Sequence, residues 1–139
     1  MKRLLYLATV VIFILGVSLS GLAANSSSKD VKASKKLTKE QIAKLRDVFD
    51  NYGCSGCHMY MHKDSTSGPA VAVIAALAKA KTKKWVISWI MNPKKHYKEP
   101  DIKALIHQYV EYMPNNGVTK KDAEKLYEYL MAVADGLVK

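Results

Sequence analysis

The sequence predicts an all-α fold, a small bundle of about four to five short helices in one domain. Three observations carry this. Apolar residues recur at helical spacing in several separate stretches, and no apolar/polar alternation persists long enough to make a strand. Residues suited to capping helix starts, Thr38, Thr82 and Thr119, stand just ahead of three of those stretches. Turn-forming residues separate them, at Gly53, Gly68-Pro69, Asn92-Pro93 and Pro114-Asn115-Asn116-Gly117.

The chain of 139 residues opens with the basic tip Met1-Lys2-Arg3, an apolar run from Leu4 to Val17, and Ser18-Leu19-Ser20-Gly21-Leu22-Ala23-Ala24. That is the order of a secretory signal peptide, with Gly21 and Ala23 at the two small-residue positions before a cut after Ala23. No cysteine stands at the cut, which excludes a lipoprotein anchor. An uncleaved membrane anchor is the alternative, because no charge appears between Leu4 and Ser28. The apolar core of fourteen residues falls short of the ~20 that span a bilayer, which favours cleavage. Either way the domain is expected outside the cytoplasm, in the periplasm, held at the outer face of the membrane if the segment stays. Residues 24–37 have the composition of a solvated linker, and residues 38–139 form the domain.

The helices follow in order. Thr38 with Gln41 makes a capping box, and Ile42, Leu45, Val48, Phe49 and Tyr52 form the apolar face of a first helix that ends at Gly53. Residues 70–80 are alanine-rich and read as a second. Thr82 starts a third, with Trp85, Val86, Trp89 and Ile90 on one face, stopped by Asn92-Pro93. Lys94 to Glu99 reads as a charged loop. Pro100-Asp101 opens a fourth helix, with Asp101 favourably near its positive end and Ile102, Leu105, Ile106, Tyr109 and Met113 on one stripe. Thr119 starts the last, whose apolar face is Ala123, Leu126, Tyr127, Leu130, Val133 and Ala134 and whose end is Gly136.

Between the first two helices lies Cys54-Ser55-Gly56-Cys57-His58, the C-x-x-C-H pattern of c-type haem attachment. Two thiols two residues apart sit on one turn and can add across the two vinyl groups of a single haem. The histidine that follows lies over the porphyrin face, where a ring nitrogen binds iron. These are the only two cysteines in the chain. A thioredoxin-like couple would need strands around it, and a zinc site would need two more ligands at spacings that His62, His96 and His107 do not supply.

A second axial ligand would decide between an electron carrier and a catalyst with an open position. Met59, Met61 and His62 stand too near His58 in sequence to reach the opposite face. His107 points off the helical stripe, Met91 lies off the tryptophan face, and Met131 sits at the edge of its helix. Met113 is the leading candidate, on the apolar stripe and followed by Pro114. Its plainer reading is a flexible core filler. His96, in the lysine-rich loop, is the alternative and would give a bis-histidine site.

Taken together, residues 38–135 resemble a class I, monohaem cytochrome c. The resemblance rests on the capped first helix with Phe49 running into Gly53-Cys54-Ser55-Gly56-Cys57-His58, then Gly68-Pro69, Trp89-Ile90-Met91-Asn92-Pro93, Tyr112-Met113-Pro114-Asn115-Asn116-Gly117, and a capped last helix with Tyr129-Leu130. It implies a cytochrome c-like bundle wrapped around one covalently attached haem c. Cys54 and Cys57 would carry the thioethers, and His58 and Met113 would be the iron ligands. The Pro69 carbonyl would accept a hydrogen bond from His58 and fix its tautomer. Trp89 would lie close to the haem edge or a propionate, or simply pack in the core. The first and last helices would cross near Phe49 and Tyr129. The family often has a glycine at that crossing, and residues 39–52 contain none.

The function expected from this is one-electron transfer between exported redox partners, with no substrate and hence no enzyme activity. The formal charge is +10, and loss of residues 1–23 removes two basic residues. Lys79, Lys81, Lys83, Lys84, Lys94, Lys95 and Lys98 stand together with no acid between Lys79 and Lys98. Around a haem edge they would steer the protein onto an acidic redox partner; the plainer reading is solvated lysine. Nucleic acid is not an expected partner of an exported chain, and membrane attachment is expected only if residues 1–23 stay. Two other functions fit the motifs: the haem-bearing subunit of a periplasmic oxidoreductase complex, for example in sulfur-compound or nitrite oxidation, and a gas sensor or peroxidase with a displaceable ligand.

Overall fold

The computed structural model describes residues 37–60 and 66–138 of the chain. The signal segment 1–23, all but Leu37 of the linker, and Met61 and His62 lie outside the described residues. Five α-helices follow in order: α1 (Lys39–Asn51), α2 (Val71–Lys79), α3 (Lys83–Met91), α4 (Pro100–Tyr109) and α5 (Lys120–Ala134). Short 3₁₀ turns occupy Cys54–Gly56 and Pro93–His96. Among the described residues there is no strand.

The helix starts are set by local chemistry. Thr38 Oγ1 accepts from the Gln41 amide at 3.2 Å while Gln41 Oε1 accepts from the Thr38 amide at 2.8 Å, closing the capping box at the head of α1. Thr82 Oγ1 caps α3 through the Trp85 amide, and Thr119 Oγ1 caps α5 through the Asp122 amide. Pro100 takes the first position of α4, where its missing N–H costs nothing.

Helix α5 is the centre of the packing and touches α1, α2 and α3. Its buried residues are Ala123, Leu126, Tyr129, Leu130 and Ala132, a broader face than the sequence stripe, which omitted Tyr129 and Ala132. The breadth follows from contact with three helices rather than one. Tyr127, Val133 and Ala134 are only half-buried. Phe49 and Tyr129 meet where α1 and α5 cross, with ring centroids 5.3 Å apart, so the crossing forms without a glycine in α1. Leu45, Phe49, Leu126 and Leu130 are all nearly inaccessible, and each contributes about 1.5–3 kcal/mol of transfer free energy.

Two expectations need correction. Helix α4 stops at Tyr109 instead of running through Met113, because Val110 takes a left-handed conformation (φ 57°) that ends the ladder. Met113 therefore stands in a non-helical segment. Residues 94–99 are also more than a charged loop: Pro93–His96 wind into a turn that buries Pro93 and His96.

Candidate haem-binding site

The attachment motif is held by its own backbone. Gly53, at φ +71°, lets the chain leave α1 and fold back at once, a conformation costly for a side chain with a Cβ. The Cys57 and His58 amides then both donate to the Cys54 carbonyl, at 3.2 and 2.9 Å, so both sulfurs and the imidazole come from one turn. Cys54 is buried and Cys57 half-buried. Burial pushes the Cys54 thiol up to about 11, so it is protonated at neutral pH.

His58 is 8% exposed, and its Nδ1 lies 2.9 Å from the Pro69 carbonyl oxygen. A carbonyl can only accept, so Nδ1 carries the proton. Burial lowers the pKa of the ring, outweighing the Pro69 bond, which acts in the other direction. The imidazole is thus neutral, with the lone pair on Nε2. Gly68 leaves room for this approach. A Cβ there would lie 3.2 Å from the Cys57 carbonyl oxygen and 3.5 Å from His58 Cε1. The Val71 amide donates to the Met59 carbonyl at 3.0 Å, and the Tyr60 hydroxyl donates to Asp50, so the chain after the motif is tied to α2 and α1.

These residues wall a cleft. A cavity of about 230 Å³ is lined by Cys57, His58, Gly68, Pro69, Trp89 and Met113 together with Ile102, Leu105, Ile106 and Tyr109 of α4. A smaller one of about 30 Å³ shares His58, Ile74, Trp89, Met113 and Pro114 and adds Cys54, Phe49 and Leu130. The six sequence-predicted residues Cys54, Cys57, His58, Pro69, Trp89 and Met113 therefore converge on one place. The apolar stripe of α4 faces this cleft, and among the described elements α4 has no packing against another helix comparable to that of α5. Trp89 is 5% exposed, and its indole N–H has no hydrogen-bond partner among the described residues.

The donor set fits a c-type haem: two thiols on one turn, a neutral imidazole with its lone pair available, a thioether, an unpartnered indole N–H and an apolar helix face. Sequence reasoning missed Tyr97, which also lines the cleft and whose hydroxyl donates to the Met113 carbonyl at 2.7 Å. No local signal marks it, since the two residues are joined only by the fold.

His96, the alternative ligand, is placed away from the cleft and bonded elsewhere. Its Nδ1 lies 2.6 Å from Glu99 Oε1 and its Nε2 lies 3.0 Å from Ser88 Oγ, and it is a wall of neither cavity. Burial would raise the Glu99 pKa, but the bonds from His96 and Trp85 outweigh it and hold the carboxyl below its usual range. Ser88, His96 and Glu99 are ordered like a hydrolytic triad. However, Ser88 reaches neither cavity and both Glu99 oxygens accept from the Trp85 indole, at 2.8 and 3.1 Å. The group locks the turn after α3 against the start of α4.

Of the seven lysines, Lys79 and Lys81 are in ion pairs, with Asp135 at 2.7 Å and Asp101 at 2.6 Å, while Lys84, Lys94, Lys95 and Lys98 are exposed and make no ion pair among the described residues. No helix among the described residues is long and apolar enough to cross a membrane.

Five short helices around this cleft form a cytochrome c-like bundle. The structure is similar to that of cytochrome c from Rhodothermus marinus, with a TM-score of 0.59 and 21% sequence identity over 78% of this chain and 89% of that one. An engineered form of that cytochrome, bound to a carbene intermediate, gives a TM-score of 0.55 at 21% identity, covering 77% of this chain and 88% of that one. No protein-family model and no curated protein matches the sequence.

Proposed function

We propose that the chain carries one covalently attached haem c and transfers single electrons between exported redox partners. Cys54 and Cys57 would hold the haem through thioethers, and His58 and Met113 would supply the protein ligands to its iron. The carrying observation is the bond between His58 Nδ1 and the Pro69 carbonyl, which fixes the tautomer and leaves the Nε2 lone pair free beside a cleft that Met113 also walls. Bound haem iron supplies the redox chemistry, alternating between ferric and ferrous forms.

The chain's own residues then orient and shield. Pro69 holds the imidazole plane, α4 and Ile74 exclude water, and the unpartnered Trp89 N–H would be available to an acceptor on the haem. Lys84, Lys94, Lys95 and Lys98 present positive charge to an acidic partner, so exchange rates fall with ionic strength. Export by residues 1–23 to the periplasm belongs to the same reading, as does the absence of a substrate.

The haem-bearing subunit of an oxidoreductase complex is a second reading. Val110 is 85% and Tyr112 60% exposed, and Tyr112 lines the cleft, so an apolar edge there suits a permanent partner. Co-purification of a catalytic subunit would favour it.

The test is an absorption spectrum of protein exported from a host competent in cytochrome maturation, taken after acid-acetone extraction. Retained haem absorbance is expected; a colourless protein with both sulfurs open to a thiol reagent overturns the reading. The ferric protein is expected to show the weak near-infrared sulfur-to-iron band. Met113→Ala is expected to abolish it and lower the potential, and a band that survives would remove Met113 as the ligand.

A further inference from the structure

Met113 stands in a stretch with few attachments. From Glu111 to Val118 no residue belongs to a helix, and among the described residues none makes a backbone–backbone hydrogen bond. The stretch begins at Val110, a β-branched residue at φ 57° with 85% of its surface exposed, a backbone state such side chains seldom adopt. It ends at Gly117, φ +67°, and the buried Val118. Between these ends the polar ties to the other described residues are two. Asn116 Nδ2 donates to the Tyr52 carbonyl at 3.0 Å, and the Tyr97 hydroxyl donates to the Met113 carbonyl at 2.7 Å. Only the second acts at Met113. The Tyr97 ring also lies against Tyr112, with centroids 4.9 Å apart.

We propose that Tyr97 is a latch: its hydroxyl bond to the Met113 carbonyl holds residues 111–116 against the cleft and keeps the thioether at the iron, so that releasing it admits an outside ligand such as imidazole at that position. Tyr97 is a positioning residue and acts through Met113. The inference rests on the reading of Met113 as an iron ligand. The segment between Val110 and Gly117 is the two-state element. A ligand that binds only the open state gains affinity in proportion to the open fraction.

The experiment is an imidazole titration of the ferric holoprotein, followed by the Soret band and the sulfur-to-iron band. Tyr97→Phe keeps the ring and removes one hydrogen bond, and is expected to tighten imidazole binding about three- to tenfold with haem still covalently held. Tyr127→Phe, which removes a hydroxyl from α5, is expected to bind as the wild type does. An unchanged affinity in Tyr97→Phe, or an equal rise in Tyr127→Phe, overturns the latch while leaving Met113 as ligand. A wild-type protein without the sulfur-to-iron band overturns the ligand reading and the latch with it. If Tyr97→Phe does not accumulate, hydrogen exchange on the wild-type holoprotein gives a second measure. Amides of Glu111, Tyr112, Met113, Asn115 and Asn116 are expected to open far more readily than those of 126–130, and equal protection overturns the proposal.

Discussion

The wall of the cleft that carries His58 and the wall that carries Met113 are built on different principles. On one side His58 sits four residues from the start of its own turn, with backbone bonds at 2.9 and 3.2 Å beneath it and the Pro69 carbonyl behind its ring. The neighbouring α1 and α5 bury Phe49 and Tyr129 at 3% and 0% exposure. On the other side, among the described residues, one side-chain hydroxyl holds the Met113 backbone, and the flanking Val110 and Tyr112 are mostly exposed. Local opening is cheapest where buried apolar contacts are few. The lesson is that the two walls differ in how they are held: one is tied by backbone bonds and a packed helix crossing, the other chiefly by one side-chain bond among the described residues.

Two substitutions test that difference, with effects of opposite sign. Phe49→Ala removes the ring wedged between Tyr129 and Tyr60, whose centroids lie 5.3 and 6.0 Å away. Its expected cost is about 3–5 kcal/mol, read as a fall in the denaturation midpoint at unchanged slope. A loss below about 1 kcal/mol would mean that the α1/α5 crossing repacks, and the contrast between the walls would weaken. Val110→Asn goes the other way. Valine in the left-handed region is strained by about 1–2 kcal/mol, whereas asparagine tolerates it, and an 85% exposed side chain leaves little packing to lose. The expected result is a gain of about 1 kcal/mol in stability by the same measurement. Destabilisation would show that the Val110 side chain holds a contact that matters.

The same contrast explains what the sequence disclosed. The His58 side was legible because its signals are contiguous: Gly53, the two cysteines and the histidine lie within six residues, and the caps at Thr38, Thr82 and Thr119 act over three. The end of α4 was not legible. Met113 continues the apolar stripe of Ile102, Leu105, Ile106 and Tyr109 by spacing, and the turn signal Pro114 lies beyond it. The actual stop is a left-handed valine, a residue that propensity would place there last. His96 was misread for a related reason. Lysines on both sides of it suggest solvent, while its partners come from the helix before, Ser88, and the turn after, Glu99. Tyr97 and Tyr52 likewise act through bonds spanning sixteen and seventy residues, which no local pattern encodes.

Tyr52 is where the two walls meet, and it offers the finest test. Its carbonyl accepts from Asn116 of the Met113 side, and its hydroxyl donates to Asp122 Oδ2 of α5 at 2.9 Å. Asp122 also accepts from Lys125 and Thr119, and these bonds, Lys125 first, hold its carboxyl down to about 2 from an ordinary 3.8. A carboxyl with a lowered folded pKa stabilises the fold above its unfolded pKa, and that stability is lost as the pH falls toward the folded value. The contribution is therefore complete above about pH 4 and disappears toward pH 2. The group is near the surface, so its effect is small beside that of Phe49. Asp122→Asn removes the titration while keeping a side-chain oxygen for the cap. Thermal midpoints measured from pH 6 to pH 2 are expected to fall less steeply in Asp122→Asn than in the wild type, with the difference confined to the range below pH 4. If Tyr52 belongs to the rigid wall, the sulfur-to-iron band of the wild type should outlast this acid loss until the fold itself melts. Disappearance of the band ahead of melting, as Asp122 protonates, would place Tyr52 with the Met113 wall and shift the boundary between the two into α1.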